Sequence, residues 1–537
     1  MSGARAASRR HFLGGMAALA GVAASGPAGA APDRVTAFMQ ALAEAVAGDP
    51  ALAAFYRDNG HRPIWTGRGG RDRARRQALL GALEDAPVHA LPQAAYDDAL
   101  LRANLGTIRS GRDLGRAEAA LSRLFLTYVN HLQGGVLEPR RVDREIIRSR
   151  PLRAGAALLE SFSRSSPAAF LRRQAPRAPE YARLMKAKRE MERLIGRGGW
   201  GPEVPGGKLR PGDSGARVVA LRDRLVAMGY MRRSASREFD APLMRAVRAF
   251  QLAHGLNPDG VVGPGTLRAL NVSAERRLAA IIVAMERERW MNIERGKRHV
   301  WVNLAAFSVA VIDEGKVTFE TRAVVGANRN DRRSPEFSDM MEYMVVNPTW
   351  NVPRSIAVKE YLPLLQKDPN AAGHLRLTRG GQPISREGID FTQFTEADFP
   401  FDLKQPPSRR NALGLVKFMF PNRYNIYLHD TPEKHLFARE RRAYSHGCIR
   451  LNDPFEFAYT LLAPQVSDPE AFFQARLASG RETVVPLERH VPVHLVYRTA
   501  FTTARGQVRF RDDIYGRDGR IFEALRAAGV ALRAVRG

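Results

Sequence analysis

A chain of 537 residues is too long for a single hydrophobic core and implies about three domains. Its formal net charge of +28 accompanies 45% apolar residues, so a basic surface covers ordinary globular cores, and a disordered polycation is excluded. The single cysteine, Cys448, excludes an internal disulfide framework.

At the start of the chain, Ser8-Arg9-Arg10-His11-Phe12-Leu13 has the twin-arginine form, followed by a short, weakly apolar stretch from Leu13 to Ala24. Ala28-Gly29-Ala30 supplies a small-x-small cleavage site. Residues 1–30 therefore read as a twin-arginine signal peptide addressed to the bacterial periplasm, with membrane attachment only if it stays uncleaved. In that compartment a basic surface meets carboxylate-bearing wall polymer or anionic lipid rather than nucleic acid. There an unpaired thiol also points to catalysis.

Residues 31–200 carry apolar positions at helical spacing, as in Leu121-Leu124-Phe125-Tyr128-Val129, and read as a helical scaffold domain. The Gly/Pro-rich stretch Gly198-Gly199-Trp200-Gly201-Pro202 through Gly207 ends it. Residues 209–271 follow as three short helices punctuated by Gly229-Tyr230, Asn257-Pro258-Asp259-Gly260 and Gly263-Pro264-Gly265-Thr266. This unit resembles the three-helix peptidoglycan-binding module of bacterial wall enzymes, and His254 reads as a packed or capping residue. From about residue 290 the period changes to two. Val300–Leu304, Phe307–Ile312 and Lys316–Phe319 predict strands, with a hairpin at Asp313-Glu314-Gly315. Met344–Val346 and Asn425–Leu428 predict two more. Residues 353–410 interrupt them as a lid insertion, a helix around Ser355–Leu365 and then a Gly-, Asp- and Pro-rich loop.

Cys448 lies in Tyr444-Ser445-His446-Gly447-Cys448-Ile449-Arg450-Leu451, a glycine-containing run with basic neighbours, which predicts a thiol that ionises readily. His429, at the end of the last predicted strand, is a candidate base for it. The string Ser445-His446-Gly447-Cys448-Ile449-Arg450, nineteen residues after His429, is similar to the signature of L,D-transpeptidase catalytic domains. Asn347-Pro348-Thr349-Trp350-Asn351-Val352-Pro353 and Asn411–Phe418 resemble the substrate segments of the large Gram-negative members of that family.

The resemblance implies a multidomain α and mixed β/α protein: scaffold, peptidoglycan-binding-like module, and a β-rich catalytic domain over residues 290–537. It implies that Cys448 attacks the carbonyl between meso-diaminopimelate and the terminal D-alanine of a tetrapeptide stem. A thioester forms, and a second stem's amine resolves it as a 3→3 cross-link. His429 is the base, oriented by either the carbonyl or the carboxylate of Asp430. The N–H groups of Gly447 and Cys448 are candidates for the oxyanion hole, with Tyr427 as a pocket wall or a further donor. Ser445 holds the turn, and His446 supports the thiol. Arg450 either steadies a substrate carboxylate or forms an ion pair, and Trp350 and Asn351 wall the stem groove. Peptidoglycan stems are the implied partners, with other wall-synthesis enzymes alongside and carbapenems as covalent inhibitors. Neither a metal nor a cofactor is implied, since His429, His435 and His446 lack a His-Glu-x-x-His pattern. Within the same chemistry, hydrolysis, D-amino-acid exchange or attachment of an envelope protein to the wall are the rival outcomes. A non-catalytic wall-binding protein is the rival outside it.

Overall fold

The computed structural model describes residues 35–103, 108–329 and 331–534. The twin-arginine segment lies outside the described residues. Among the described residues no helix is long and apolar enough to cross a membrane.

The first unit is helical. Gly111–Gly134 is its central helix, started by a reciprocal Ser110/Asp113 capping box. Trp65, Phe125, Phe162 and Phe170 stack in its core. Next to them the buried Glu118 carboxylate accepts from the backbone N–H groups of Ile64, Trp65 and Thr66 and from the Tyr56 hydroxyl. The second unit has helices Ala216–Ala227, Ala241–Ala253 and Pro264–Leu270 around Leu221, Leu225, Phe250 and Val262. His254 closes the middle helix. Its Nδ1 donates to the Phe250 carbonyl, and its ring stacks on Phe250 and on Phe510 from the end of the chain.

The helix Ala274–Trp290 connects these units to a β-rich domain, and Ser273 caps its start. Thirteen strands follow: β1 Arg298–Asn303, β2 Ser308–Asp313, β3 Lys316–Gly326, β4 Phe337–Val346, β5 Trp350–Asn351, β6 Arg376–Arg379, β7 Gln382–Ile384, β8 Asp402–Gln405, β9 Val416–Met419, β10 Leu428–His429, β11 Ala443–Ser445, β12 Ile449–Leu451 and β13 Thr483–Val496. The main sheet runs β11-β3-β12-β10-β9-β4-β13-β1-β2, and an added β2–β3 pairing closes it on itself. Glu314 and Gly315, both at positive φ, make the tight β2–β3 turn. Inward-facing Val302, Val311, Met344, Phe418, Leu428 and Ile449 fill the core with the helix Pro454–Leu462, whose Phe457 meets Phe418 edge-on at 4.7 Å.

Three expectations change. The strand expected at Asn425–Leu428 begins only at Leu428, because Asn425 sits at φ +53 and the Asn422 side chain holds the turn through Ile426. The insertion is no loop. β5–β8 make a separate sheet in the order β5-β8-β6-β7 over a core of Leu362, Leu375, Phe391, Phe399, Phe401 and Leu403. Its strands of two to four residues are too short for a period to show in the sequence. Finally, the helix Arg517–Ala527 packs on Ala274–Trp290 and Pro179–Gly196 through Ile521 and Leu525, joining the end of the chain to the scaffold.

Candidate active site

Main-sheet residues alternate between the core and the opposite face, and the site lies on the opposite face. In the register, His429 pairs with Arg450 of β12 on one side and with Lys417 of β9 on the other. Directly paired residues share a face, so these three form one row. One step back, Ile449 N–H donates to the Tyr427 carbonyl, which puts Cys448 beside Tyr427 on that same face. Tyr427 and His429 meet edge-on at 5.6 Å between ring centres. Cys448, Tyr427 and His429 are therefore neighbours although nineteen residues separate the ends of the trio.

The turn carrying the sulfur is fixed on every side. Gly447 adopts φ +114, a conformation that suits glycine. Its carbonyl accepts from Ser334 Oγ at 2.6 Å, while Ser445 Oγ donates to the Cys448 carbonyl at 2.5 Å. Gly447 N–H donates to Ser445 Oγ, which corrects its expected place in the oxyanion hole. The Cys448 N–H has no backbone acceptor among the described residues and stays available. The second donor is Tyr427. Both its N–H and its hydroxyl face the Cys448 sulfur, a closer role than packing.

His429 is buried, and its Nδ1 donates to the Asp430 carbonyl. Of the two acceptors open to it, the backbone group is the one observed. The Asp430 carboxylate instead accepts from Leu415 N–H at 2.9 Å and from Lys434 Nζ at 2.8 Å. It presses on Gly414, at φ +62, where any Cβ would fall 2.3 Å from its oxygen. The buried Asn411 amide pins this turn by donating to the carbonyls of Pro348, Gln405 and Pro406. The Leu413 carbonyl then also reaches the His429 ring. Asn411 and Gly414 are supporting residues that the sequence reading quoted only as part of a segment.

Electrostatics correct the expected thiolate. Burial pushes the Cys448 thiol up to about 11, against hydrogen bonds from Tyr427 and the charge of Arg450. Burial, then Arg450 and Lys417, lower His429 to about 3 against the two carbonyls that favour its proton. At neutral pH the resting pair is a neutral thiol and a neutral imidazole. The sulfur, half-buried, rests on the Asn425 carbonyl at 3.4 Å.

The other candidates separate. Arg450 is ion-paired with Glu433, so of its two roles the pair is the one observed. His446 turns to the insertion, its Nε2 2.7 Å from Glu360 Oε1, and Arg332 reaches the same oxygen at 2.5 Å. Trp350 lies edge-on to Tyr361 inside the insertion, and Asn351 is exposed on β5, so both line the insertion rather than touch the sulfur. Among the described residues no group of three His, Cys, Asp or Glu side chains converges on a metal position.

Comparison with known proteins follows the same division. Residues 50–187 match a family described as a scaffold domain, and 214–270 one described as "Putative peptidoglycan binding domain". Residues 297–480 match the L,D-transpeptidase catalytic domain. A Haemophilus influenzae protein named "Putative L,D-transpeptidase" is 32% identical over 242 residues, 44% of this chain and 48% of that one. The Mycobacterium tuberculosis N-acetylmuramoyl-L-alanine amidase CwlM is 42% identical over 81 residues, 13% of this chain and 20% of its own. The alignment thus spans about half the length of the first relative and a fifth of the second. Among solved structures, L,D-transpeptidases of Stackebrandtia nassauensis and Xylanimonas cellulosilytica are 15% and 17% identical. Each match covers 55% of this chain and 97% or 98% of the other, at TM-scores of 0.22 and 0.16, too low to carry an argument.

Proposed function

With an L,D-transpeptidase catalytic domain at residues 297–480 as the starting point, we propose that the protein transfers peptidoglycan stem peptides through a Cys448 thioester. The observation that carries this is the single sheet face holding Cys448, Tyr427 and His429.

Cys448 Sγ attacks the carbonyl between the L-centre of meso-diaminopimelate and the terminal D-alanine. Because both groups rest neutral, the thiol proton passes to His429 as the C–S bond forms. The oxyanion accepts from the Cys448 N–H and the Tyr427 hydroxyl. Such a donor is worth about 10²–10³-fold in rate. The C–N bond then breaks, and His429 returns the proton to the D-alanine amine, a general acid–base step worth about 10²–10⁴-fold. The side-chain amine of a second stem attacks the thioester and gives its proton to His429. The products are a 3→3 cross-link and a regenerated thiol. The peptidoglycan-binding-like module would hold the polymer near this site, and the twin-arginine segment would deliver the protein to the periplasm.

Purified tetrapeptide muropeptides incubated with the enzyme should give 3→3 dimers and free D-alanine by mass spectrometry. Tripeptides without dimers would make the enzyme an L,D-carboxypeptidase. No release of D-alanine would remove the proposal.

A further inference from the structure

The row across the sheet contains two cations flanking His429, and only one of them has a counter-ion. Arg450 is paired with Glu433. Lys417, on the other side, is half-buried on β9, and among the described residues its ammonium meets no hydrogen-bond acceptor and no ion-pair partner. Burial lowers its pKa, and Glu482 supplies only a through-space attraction against that. Burying a charge without a partner is costly, so a position that keeps one invites an anion from outside the chain.

The order of groups on the face says which anion. Cys448 lies beside Tyr427, His429 is the next residue on that face along β10, and Lys417 is one strand further at the register of His429. Sulfur, imidazole and ammonium therefore follow one diagonal. Neighbouring strands are about 4.8 Å apart. In the acyl transfer proposed above, the leaving amine must sit at His429 to receive its proton. The carboxylate carbon of that amino acid is two bonds beyond the amine, about 2.5 Å. Continued along the diagonal, it arrives at Lys417.

We propose that Lys417 is a specificity-determining residue that binds the free carboxylate of the terminal D-amino acid, so that the site selects stems ending one residue after the scissile bond. This rests on the acyl-transfer reading of the same site. A stem carrying a further residue would place an amide where the carboxylate belongs and leave the ammonium unpaired. Lys417 would also deliver the leaving group to His429 in a fixed orientation, a contribution to positioning rather than to proton transfer.

The test is binding without turnover. Full-length Cys448→Ala protein is titrated calorimetrically with a tetrapeptide stem ending in D-alanine, and with the same stem ending in D-alaninamide. The acid should bind at least about tenfold more tightly than the amide, the range of a charge-assisted hydrogen bond. Adding Lys417→Met should bring the acid down to the level of the amide, and Lys417→Arg should keep most of the preference. Because each variant is compared on two ligands, a loss of folding cannot imitate this pattern. Equal binding of acid and amide to Cys448→Ala, no measurable binding of either, or a preference that survives Lys417→Met would overturn the proposal. Turnover is scored separately on protein that retains Cys448. If it fails while the preference holds, the transpeptidase reading falls and the carboxylate site stands.

Discussion

The cluster of Arg287, Arg517, Glu336 and Asp518 and the site around Cys448 are both buried in the β-rich half of the molecule, yet they treat charge in opposite ways. In the cluster, Arg287 reaches Glu336 and reaches Asp518 at 2.9 Å, while Arg517 reaches Glu336 at 3.3 Å and Glu145 at 2.8 Å. Burial opposes both guanidinium charges, but these carboxylates outweigh it and hold Arg287 and Arg517 above their usual range. Around Cys448, burial finds no such compensation, and thiol and imidazole stay neutral. The cluster joins the scaffold segment 143–148, the connecting helix, the start of β4 and the last helix, where ion pairs hold the units in one arrangement. The site keeps its pair uncharged until substrate excludes water, which lets one proton move with bond formation.

That contrast can be broken from either side. Arg517→Met leaves Glu336 and Glu145 short of a partner and should cost about 3–5 kcal/mol in urea unfolding, the usual result of removing one member of a buried pair. Alkylation of Cys448 below the transition should be unchanged, and a neutral effect on stability would show that the cluster does not bind the units. Tyr427→Phe should do the reverse, slowing D-alanine release by about 10²–10³-fold with little change in unfolding. Equal rates would remove its hydroxyl from the oxyanion hole.

Acid sharpens the comparison. Burial lowers His89, His131 and His494 to about 4 and His254 and His429 to about 3. The unfolded chain takes up protons below about pH 6.5 where the folded chain does not, so stability is lost as pH falls from there toward 4. At pH 5.5 each such histidine costs about 1 kcal/mol. A melting temperature that stays flat from pH 7 to 5 would contradict the neutral, buried assignment. The smallest effect expected is at the latch between the insertion and the cysteine turn. Glu360→Gln weakens contacts to Arg332 and His446 that are about one-third exposed, worth about 0.5–1 kcal/mol. It should raise proteolysis of the insertion at unchanged global stability, and an unchanged cleavage rate would remove Glu360 as a latch.

The catalytic turn was legible because its chemistry is contiguous: Ser445, Gly447 and Cys448 hold one another within four residues. The β1–β2–β3 meander was legible from its alternation and its two-residue turn. β13, the longest strand, was not, because Pro486 and Pro492 interrupt its pattern and a bulge falls between Pro486 and Val491. The insertion hid a core built from phenylalanines at irregular spacing. The state of the thiol was misjudged for a simpler reason. Basic neighbours in sequence suggested a thiolate, but burial dominates once β10 and β12 close around the sulfur.

The central claim is that Cys448 is the acyl acceptor on that sheet face. Intact-mass analysis after exposure to a carbapenem, followed by peptide mapping, tests it most directly. One adduct on the peptide containing Cys448 in the wild type, and none on Cys448→Ala, is the predicted result. An adduct on Cys448→Ala, or a wild type that stays unmodified, would contradict it.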